Sequence, residues 1–480
     1  MSVRTKLILA AWLSLFGVLY ATLMPFDFSD RSLGQAWDHY AGLTFPVMKA
    51  SARQQWVANI LLFWPLGLLW AAWLSGYARS MVGKWLVGVF VVLLALATTA
   101  TVEFLQYWLP RREPSLLDMS GNFLGGLLGV LTWFALSARG KRWLDLLRQG
   151  GPLALWRGLL IYSVAYVLFA WLPLDFMISW QEVLNKLAGD HWGGWKAPVA
   201  EDMGSRGWVI GSMMVATCLP VGLMLGWWLV HRVPAASWVR LVMLSLPLAG
   251  MFGVLVELGQ FMTVSGVAQG VTALLRTLGV VLGVMLFARR SSVTPDRLRH
   301  WARPLVWLGV LPYLVLTFVL NLGAGGFQVD VGSALSKLES LRFLPFWYHY
   351  MVPEAVAISS VFFHVVMYLP VGVGLWLWCW GPRGVTPAGR GLMAAGAAFC
   401  LALAMETGKL FMAGLRPDPT NVWIAAGAAW LGWQLLGWAW MGLKGVRLAP
   451  QRPASRSVAD PSGHGPTSSR RSYGGFVRGE

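Results

Sequence analysis

Charged residues are scarce in this chain. Asp, Glu, Lys and Arg together make up only 12% of its 480 residues, about half of their share in soluble domains. A soluble globular protein is therefore excluded. The chain instead carries 57% hydrophobic residues, gathered in runs of about 20, which is the length that crosses the hydrocarbon core of a bilayer.

Cysteine is also nearly absent. The three cysteines lie far apart in apolar runs and lack the spacing of metal ligands. The sequence contains no HExxH motif, no nucleotide-binding loop and no nucleophile paired with a base. We therefore expect no metal site and no cofactor, and an enzyme is the less favoured functional class.

The apolar runs predict an all-α polytopic membrane protein with about 12 transmembrane helices. A single segment satisfies its own backbone hydrogen bonds in lipid only as a helix, so each run should be helical. The predicted spans are residues 7–24, 56–75, 85–108, 118–137, 155–173, 207–230, 239–261, 269–287, 304–322, 356–380, 391–411 and 421–442.

The distribution of basic residues predicts the orientation. A net charge of +17 would suggest nucleic acid in a soluble protein, but the cytoplasmic loops of membrane proteins are themselves rich in Lys and Arg. We therefore expect no nucleic-acid partner. When the N-terminus is placed in the cytoplasm, most Lys and Arg fall in cytoplasmic loops and in the C-terminal tail. Both termini are thus predicted to be cytoplasmic.

Polar residues cluster where the third and fourth predicted spans meet, at the extracytoplasmic face. Two pairs of polar residues, spaced three and four apart, would each share one helix face. An arginine lies on the loop between them, and an asparagine lies near the outer end of the second span. We expect these side chains to converge on a ligand. The six candidates are Asn59, Glu103, Gln106, Arg112, Asp118 and Asn122.

A structural interpretation of this cluster stays open. A carboxylate at membrane depth is unfavourable without a partner, and we expect the guanidinium of Arg112 to bridge Glu103 and Asp118. Asp118 also stands at a helix start, where its side chain could cap free backbone amides. Gly121, with the glycines four and eight residues after it, follows the small-xxx-small pattern of close helix packing.

One glutamate recurs three times with the same surroundings. A glycine follows Glu103, Glu257 and Glu406 by 26 residues in each case, and a Pro-x-Gly motif precedes each of them by 36–38 residues. The chain is therefore predicted to be three parallel four-helix repeats, since units with an even number of spans share one orientation. We name these unit one (1–150), unit two (151–298) and unit three (299–443); a basic, disordered cytoplasmic tail is predicted over 444–480.

Units two and three keep only part of the polar set. The glutamate is present in all three, whereas its neighbours differ and unit two lacks the basic pair of the loop. The equivalent positions are therefore weaker site candidates. They are Glu257 and Gln260 in unit two, and Glu406, Lys409, Arg416, Asn421 and His364 in unit three.

The ordered motifs of unit one resemble the VanZ-like family. The resemblance is good over residues 1–137, moderate over 155–287 and partial over 304–442. Family members usually have one such unit, so three in tandem is a departure. The residues that carry it are Asn59, Phe63, Pro65, Leu66, Gly67, Glu103, Gln106, Arg112, Asp118, Asn122, Gly125 and Gly129.

The resemblance implies a multi-pass protein of the bacterial inner (cytoplasmic) membrane that acts in the cell envelope. The family's namesake is linked to teicoplanin resistance without an established mechanism. We expect a factor that contacts membrane lipid and binds a lipid-linked or glycan ligand at its extracytoplasmic face, through Arg112, Glu103 and Gln106. The alternatives are a transporter or flippase, an envelope enzyme with Glu103 as acid or base, and a structural assembly protein.

Overall fold

The computed structural model describes most of the chain. It covers residues 2–149, 151–199, 204–233, 236–289, 295–323, 325–327, 330–352, 354–380 and 389–447. From residue 448 onward, the predicted tail lies outside the described residues.

The fold is helical, as predicted, with four strands of two residues each among the described residues. The helices are α1 (Val3–Leu23), α2 (Leu33–Ala41), α3 (Ala50–Leu74), α4 (Met81–Gln106), α5 (Leu116–Gln149), α6 (Pro152–Ala170), α7 (Trp180–Ala188), α8 (Gly204–Arg232), α9 (Trp238–Met262), α10 (Gly270–Ala288), α11 (Pro295–Leu322), α12 (Val331–Glu339), α13 (Trp347–Tyr350), α14 (Glu354–Cys379), α15 (Arg390–Gly408) and α16 (Pro419–Arg447). Strand β1 (Trp192–Gly193) pairs in parallel with β2 (Ala268–Gln269), and β3 (Gly326–Phe327) pairs antiparallel with β4 (Met412–Ala413).

Eleven helices in the described part of the chain are long and apolar enough to cross a membrane. They are α1, α3–α6, α8–α11, α14 and α15. The chain is therefore a polytopic helical membrane protein. The twelfth predicted span, 421–442, is also helical as part of α16, but it is not among the eleven, because its five tryptophans and its Asn and Gln lower its hydropathy.

Helix ends differ from the predicted span ends where charge begins. The fourth span was predicted to end at residue 137, whereas α5 continues to Gln149 through a stretch predicted as loop. Similarly, α11 begins at Pro295 rather than at 304. Hydropathy marks where a helix leaves lipid, but backbone hydrogen bonding continues into the charged turns beyond it.

The closest helix contacts in each unit pass through glycine. The glycine of each Pro-x-Gly motif lies against the backbone of a second helix, so an added Cβ would overlap a carbonyl oxygen there. Small residues permit such approach of two helices in lipid. The pairs are Gly67 on α3 with Gly126 on α5, Gly222 on α8 with Val280 on α10, and Gly372 on α14 with Ala429 on α16.

Side-chain contacts join unit one to unit two. Arg53 on α3 is buried and forms an ion pair of 2.6 Å with Glu182 on α7. Hydrogen bonds from Arg53 and from the backbone of Ile178 hold the pKa of Glu182 below its ordinary value. Beside this pair, the Gln54 side chain donates to the fully buried Asp175 at 2.8 Å. The first two units are thus docked through charge and amide contacts.

Unit three contacts both of the others. The Tyr20 hydroxyl on α1 donates to the backbone carbonyl of Pro345 at 2.7 Å. The rings of Phe169 on α6 and Phe362 on α14 lie 4.3 Å apart between centroids. Each of the three units therefore contacts the other two.

Candidate functional site

The three recurring glutamates make the same hydrogen bond. In each unit, the carboxylate Oε2 accepts from the backbone N–H of the residue twelve positions later, which holds the following loop against the end of the helix. We call these bonds the glutamate latches, and the end of the protein where they lie the latch end. They join Glu103 to Ser115 at 2.9 Å, Glu257 to Gln269 at 2.7 Å and Glu406 to Asp418 at 2.8 Å.

Glu257 forms a buried ion pair within unit two. Its carboxylate contacts the guanidinium of Arg276, which is 3% exposed. Thr272 donates its hydroxyl to the same carboxylate oxygen at 2.5 Å. A buried charge of either sign is strongly unfavourable alone, so each of these two charged groups depends on the other.

In unit three, a lysine takes the place of the arginine. Lys409 Nζ lies 2.7 Å from Glu406, and Asn421 donates to the same oxygen at 3.0 Å. The adjoining loop holds Asp418, which faces His349 at 3.2 Å. Although burial opposes it, the nearby imidazole of His349 and the hydrogen bond from the Thr420 backbone hold the pKa of Asp418 below its ordinary value.

Two asparagines of unit one donate hydrogen bonds within the unit. Asn59 donates to Asp118 at 2.8 Å, so these two predicted site residues do meet. Asn122 instead donates to the Thr99 hydroxyl of α4 at 2.9 Å. These bonds tie α3 and α4 to α5.

The predicted bridge from Arg112 to two carboxylates is not what the structure contains. The backbone of Ser115 is the hydrogen-bond donor to Glu103. The guanidinium of Arg112 lies instead over the ring of Tyr350, 4.8 Å from its centroid, and its Nε lacks a hydrogen-bond partner among the described residues. Tyr350 belongs to unit three, so a sequence argument confined to unit one could not have anticipated this contact.

The glutamine three residues after the latch glutamate holds the end of the first helix of its unit. Gln106 Nε2 donates to the backbone carbonyl of Thr22, and Gln260 Nε2 donates to that of Ala170, both at 3.0 Å. Since the last carbonyls of a helix have no partner within it, each glutamine side chain satisfies a group that lipid could not.

The remaining candidates of unit three are separate from one another. Arg416 lies over the ring of Tyr348, 5.3 Å from its centroid. His364 pairs through Nδ1 with the carbonyl of Ser360 in its own helix at 2.8 Å.

Two lysines outside the predicted site residues bind the latch loops. Lys186 on α7 is 6% exposed, and its Nζ donates to the carbonyls of Thr263 and Val264 at 3.0 and 3.1 Å and also to Gly266. Burial lowers the pKa of Lys186, against the opposing charge of Asp175. Lys337 on α12 bonds the equivalent loop of unit three. Each lysine lies in the short loop helix of its unit, and this recurrence in the sequence could have identified both as candidates.

A cavity of about 390 Å³ opens between units two and three near the latch end. Its polar lining includes Gln260 and Arg276 from unit two, and the rest of its wall is largely apolar. The lining residues are Tyr166, Phe169, Ala170, Leu172, Ile210, Met213, Met214, Thr217, Gln260, Arg276, Ile358, Ser359, Phe362 and Phe363. Of the predicted site residues, Gln260 is the one that lines this cavity.

Comparison with known proteins bears on the first unit. No curated protein and no solved structure matches the chain. A family model described as VanZ/LLP1 matches residues 7–137, the stretch that contains α1, α3, α4 and the Glu103 latch. The chain is thus a multi-pass membrane protein whose residues 7–137 match the VanZ/LLP1 family model.

Proposed function

We propose that this protein is a cell-envelope factor that binds a lipid-linked glycan in the cavity between units two and three. The main support for this proposal is the position of Arg276 and Gln260 on the wall of that cavity. A site of about 390 Å³ falls in the range of small-ligand pockets, which combine mostly apolar walls with a few converging polar groups.

The chemistry of the lining suits a ligand with a polar head and an apolar chain. Arg276 and Gln260 offer N–H donors and an amide oxygen, and Thr217 adds a hydroxyl. Phe169 and Phe362, whose rings contact each other, provide one aromatic wall. Sugar hydroxyls or a phosphate would bond the polar groups, while an isoprenoid or acyl chain would contact the rings.

The proposal includes the architecture predicted from the sequence. We infer three tandem VanZ-like units with twelve spans, α16 being the last, in the inner membrane with both termini cytoplasmic. The three latches and the three glycine contacts support this, because equivalent atoms recur at equivalent positions. The latch end, and with it the cavity, would then face the outside of the cell.

The six polar residues of unit one are assigned a structural role in this proposal. Glu103 is 1% exposed and its Oε2 accepts a backbone amide, so it gives a substrate no access to an acid or base. Enzymatic use of Glu103 is therefore the weaker alternative. Transport is distinguished from binding by lipid flux above that of empty vesicles after reconstitution.

Filling the cavity is expected to abolish binding. Ile358→Trp places an indole in the space that the ligand would occupy. With a polyprenyl-phosphate-linked disaccharide as the probe in detergent, we expect Kd to rise at least about tenfold, equivalent to about 1.4 kcal/mol. The control Leu278→Trp makes the same kind of change on α10 at a side chain that is 48% exposed and lines no part of this cavity.

Cells carrying the two variants provide the second readout. The proposal expects Ile358→Trp to lose any effect of the protein on teicoplanin susceptibility, with the protein level unchanged and Leu278→Trp behaving like wild type. Equal binding of the disaccharide probe by both variants and wild type would contradict the proposed site.

A further inference from the structure

A second cleft lies at the other end of unit one, where α1 and α4 begin. It has a volume of about 1050 Å³ and is formed by α1, α3, α4 and α5. It is separate from the cavity between units two and three and from the glutamate latches. The contacts described above do not involve the side chains that line this cleft.

Basic side chains line the exposed part of this cleft. Arg4 and Lys84 are both exposed, and the Arg4 guanidinium lies 4.2 Å from the centroid of the Tyr77 ring. No acidic residue is among the described side chains that line the cleft. Its electrostatic character is therefore cationic, at a helix end where such charge attracts anionic lipid.

The indole N–H of Trp73 is a further hydrogen-bond donor in this cleft. Trp73 Nε1 is buried and forms no well-aligned hydrogen bond within the described residues, although it lies beside the hydroxyl of Tyr77, which also interacts with Arg4. Its neighbour Trp133, in contrast, donates its indole N–H to the Ser75 hydroxyl at 3.0 Å. A buried N–H that lacks a well-formed hydrogen bond is unfavourable, so an acceptor from a bound molecule would stabilise this end of the cleft.

Beyond the polar groups, the walls are apolar over a length that matches a lipid chain. The lining of α4 extends from Met81 to Leu93, a rise of about 18 Å along the helix. One leaflet of the hydrocarbon core is about 15 Å thick. Leu127, Val130 and Phe134 of α5 form the facing wall.

We propose that this cleft binds an anionic glycerophospholipid. The lipid phosphate lies between Arg4 and Lys84 and accepts the Trp73 N–H, while an acyl chain follows the groove between α4 and α5. A zwitterionic lipid fits less well, because its cationic headgroup would approach two cations that no described acidic side chain balances. The proposal concerns a lipid site of unit one and is independent of the ligand proposed for units two and three.

The test compares two lipids of identical acyl chains. Dioleoyl-phosphatidylglycerol and dioleoyl-phosphatidylcholine are titrated onto the full-length protein in detergent, and binding is followed by native mass spectrometry. We expect the wild type to bind phosphatidylglycerol at least about fivefold more tightly, and Lys84→Ala to weaken that binding about fivefold, the effect of one basic residue near anionic lipid. Trp73→Phe keeps the aromatic ring, removes the N–H and should weaken the same binding.

The control variant is Lys6→Ala. It removes a cation from the same end of α1, from a side chain that does not line the cleft, and should change the affinity less than about twofold. Equal binding of the two lipids by the wild type would overturn the proposal. An equal loss of affinity in Lys6→Ala and Lys84→Ala would do so too. If Lys84→Ala lowers the melting temperature of the lipid-free protein, its loss of binding could reflect instability, and Trp73→Phe becomes the deciding variant. An unchanged affinity of Trp73→Phe for phosphatidylglycerol would then reject the site.

Discussion

Alanine at Glu257 is expected to destabilise the folded protein by about 3–5 kcal/mol, the usual effect of leaving a buried charge without its partner. The change leaves the guanidinium of Arg276, which is 3% exposed, buried without its carboxylate partner. It also removes the acceptor of the Gln269 backbone amide. Glu103→Ala removes the equivalent acceptor without breaking such an ion pair, and should be less harmful, at about 1–3 kcal/mol.

Chemical unfolding in detergent, followed by tryptophan fluorescence, measures both variants. The double variant Glu257→Leu with Arg276→Met removes both charges and keeps apolar volume, so it should recover much of the stability lost in Glu257→Ala. If Glu257→Ala proved no less stable than Glu103→Ala, the Arg276 ion pair would not have the structural role described here.

Valine at Gly372 is expected to prevent stable folding of unit three. A Cβ at this position would overlap the backbone carbonyl of Ala429 on α16, and a helix backbone cannot move aside as a side chain can. Overpacking of a core costs about 1–3 kcal/mol where side chains can shift, so we expect at least about 3 kcal/mol here. Heating followed by size-exclusion chromatography reports the folded fraction.

The same helix offers the matched control. Gly374 lies two residues further along α14, and a Cβ there would meet nothing within 4 Å. Gly374→Val should therefore melt close to wild type, while Gly372→Val should not. Similar melting temperatures for the two variants would show that α14 and α16 do not pack through Gly372.

Much of this fold was predictable because its determinants are local. Apolar runs located the spans, and the spacing from Pro to Gly and from Glu to Gly located equivalent positions in the three units. Gly67 and Gly222 were thereby aligned before their helix contacts were known, and both lie on a partner backbone. The helix end at Gln149 was not predictable, since hydropathy reports the lipid boundary rather than the end of backbone hydrogen bonding.

The site was less predictable because its partners come from other units. Arg112 was expected to bridge carboxylates of its own unit, but it lies on Tyr350 of unit three. Arg276 was not among the predicted site residues, yet it pairs with Glu257 in its own unit and lines the cavity that unit two shares with unit three. Sequence spacing predicts which side chains share a helix face, but it carries no information on how separate units dock.

The most direct test of three four-helix units that share one orientation is a measurement of membrane topology. In a variant whose native cysteines are replaced, single cysteines are introduced as Ser2→Cys, Glu113→Cys, Ala413→Cys and Ser468→Cys, and each is exposed to a membrane-impermeant thiol reagent. We predict labelling of intact cells at positions 113 and 413, and labelling at positions 2 and 468 only after the cells are permeabilised. Labelling of Ser468→Cys from outside, with Ser2→Cys protected, would mean an odd number of spans and would contradict the account.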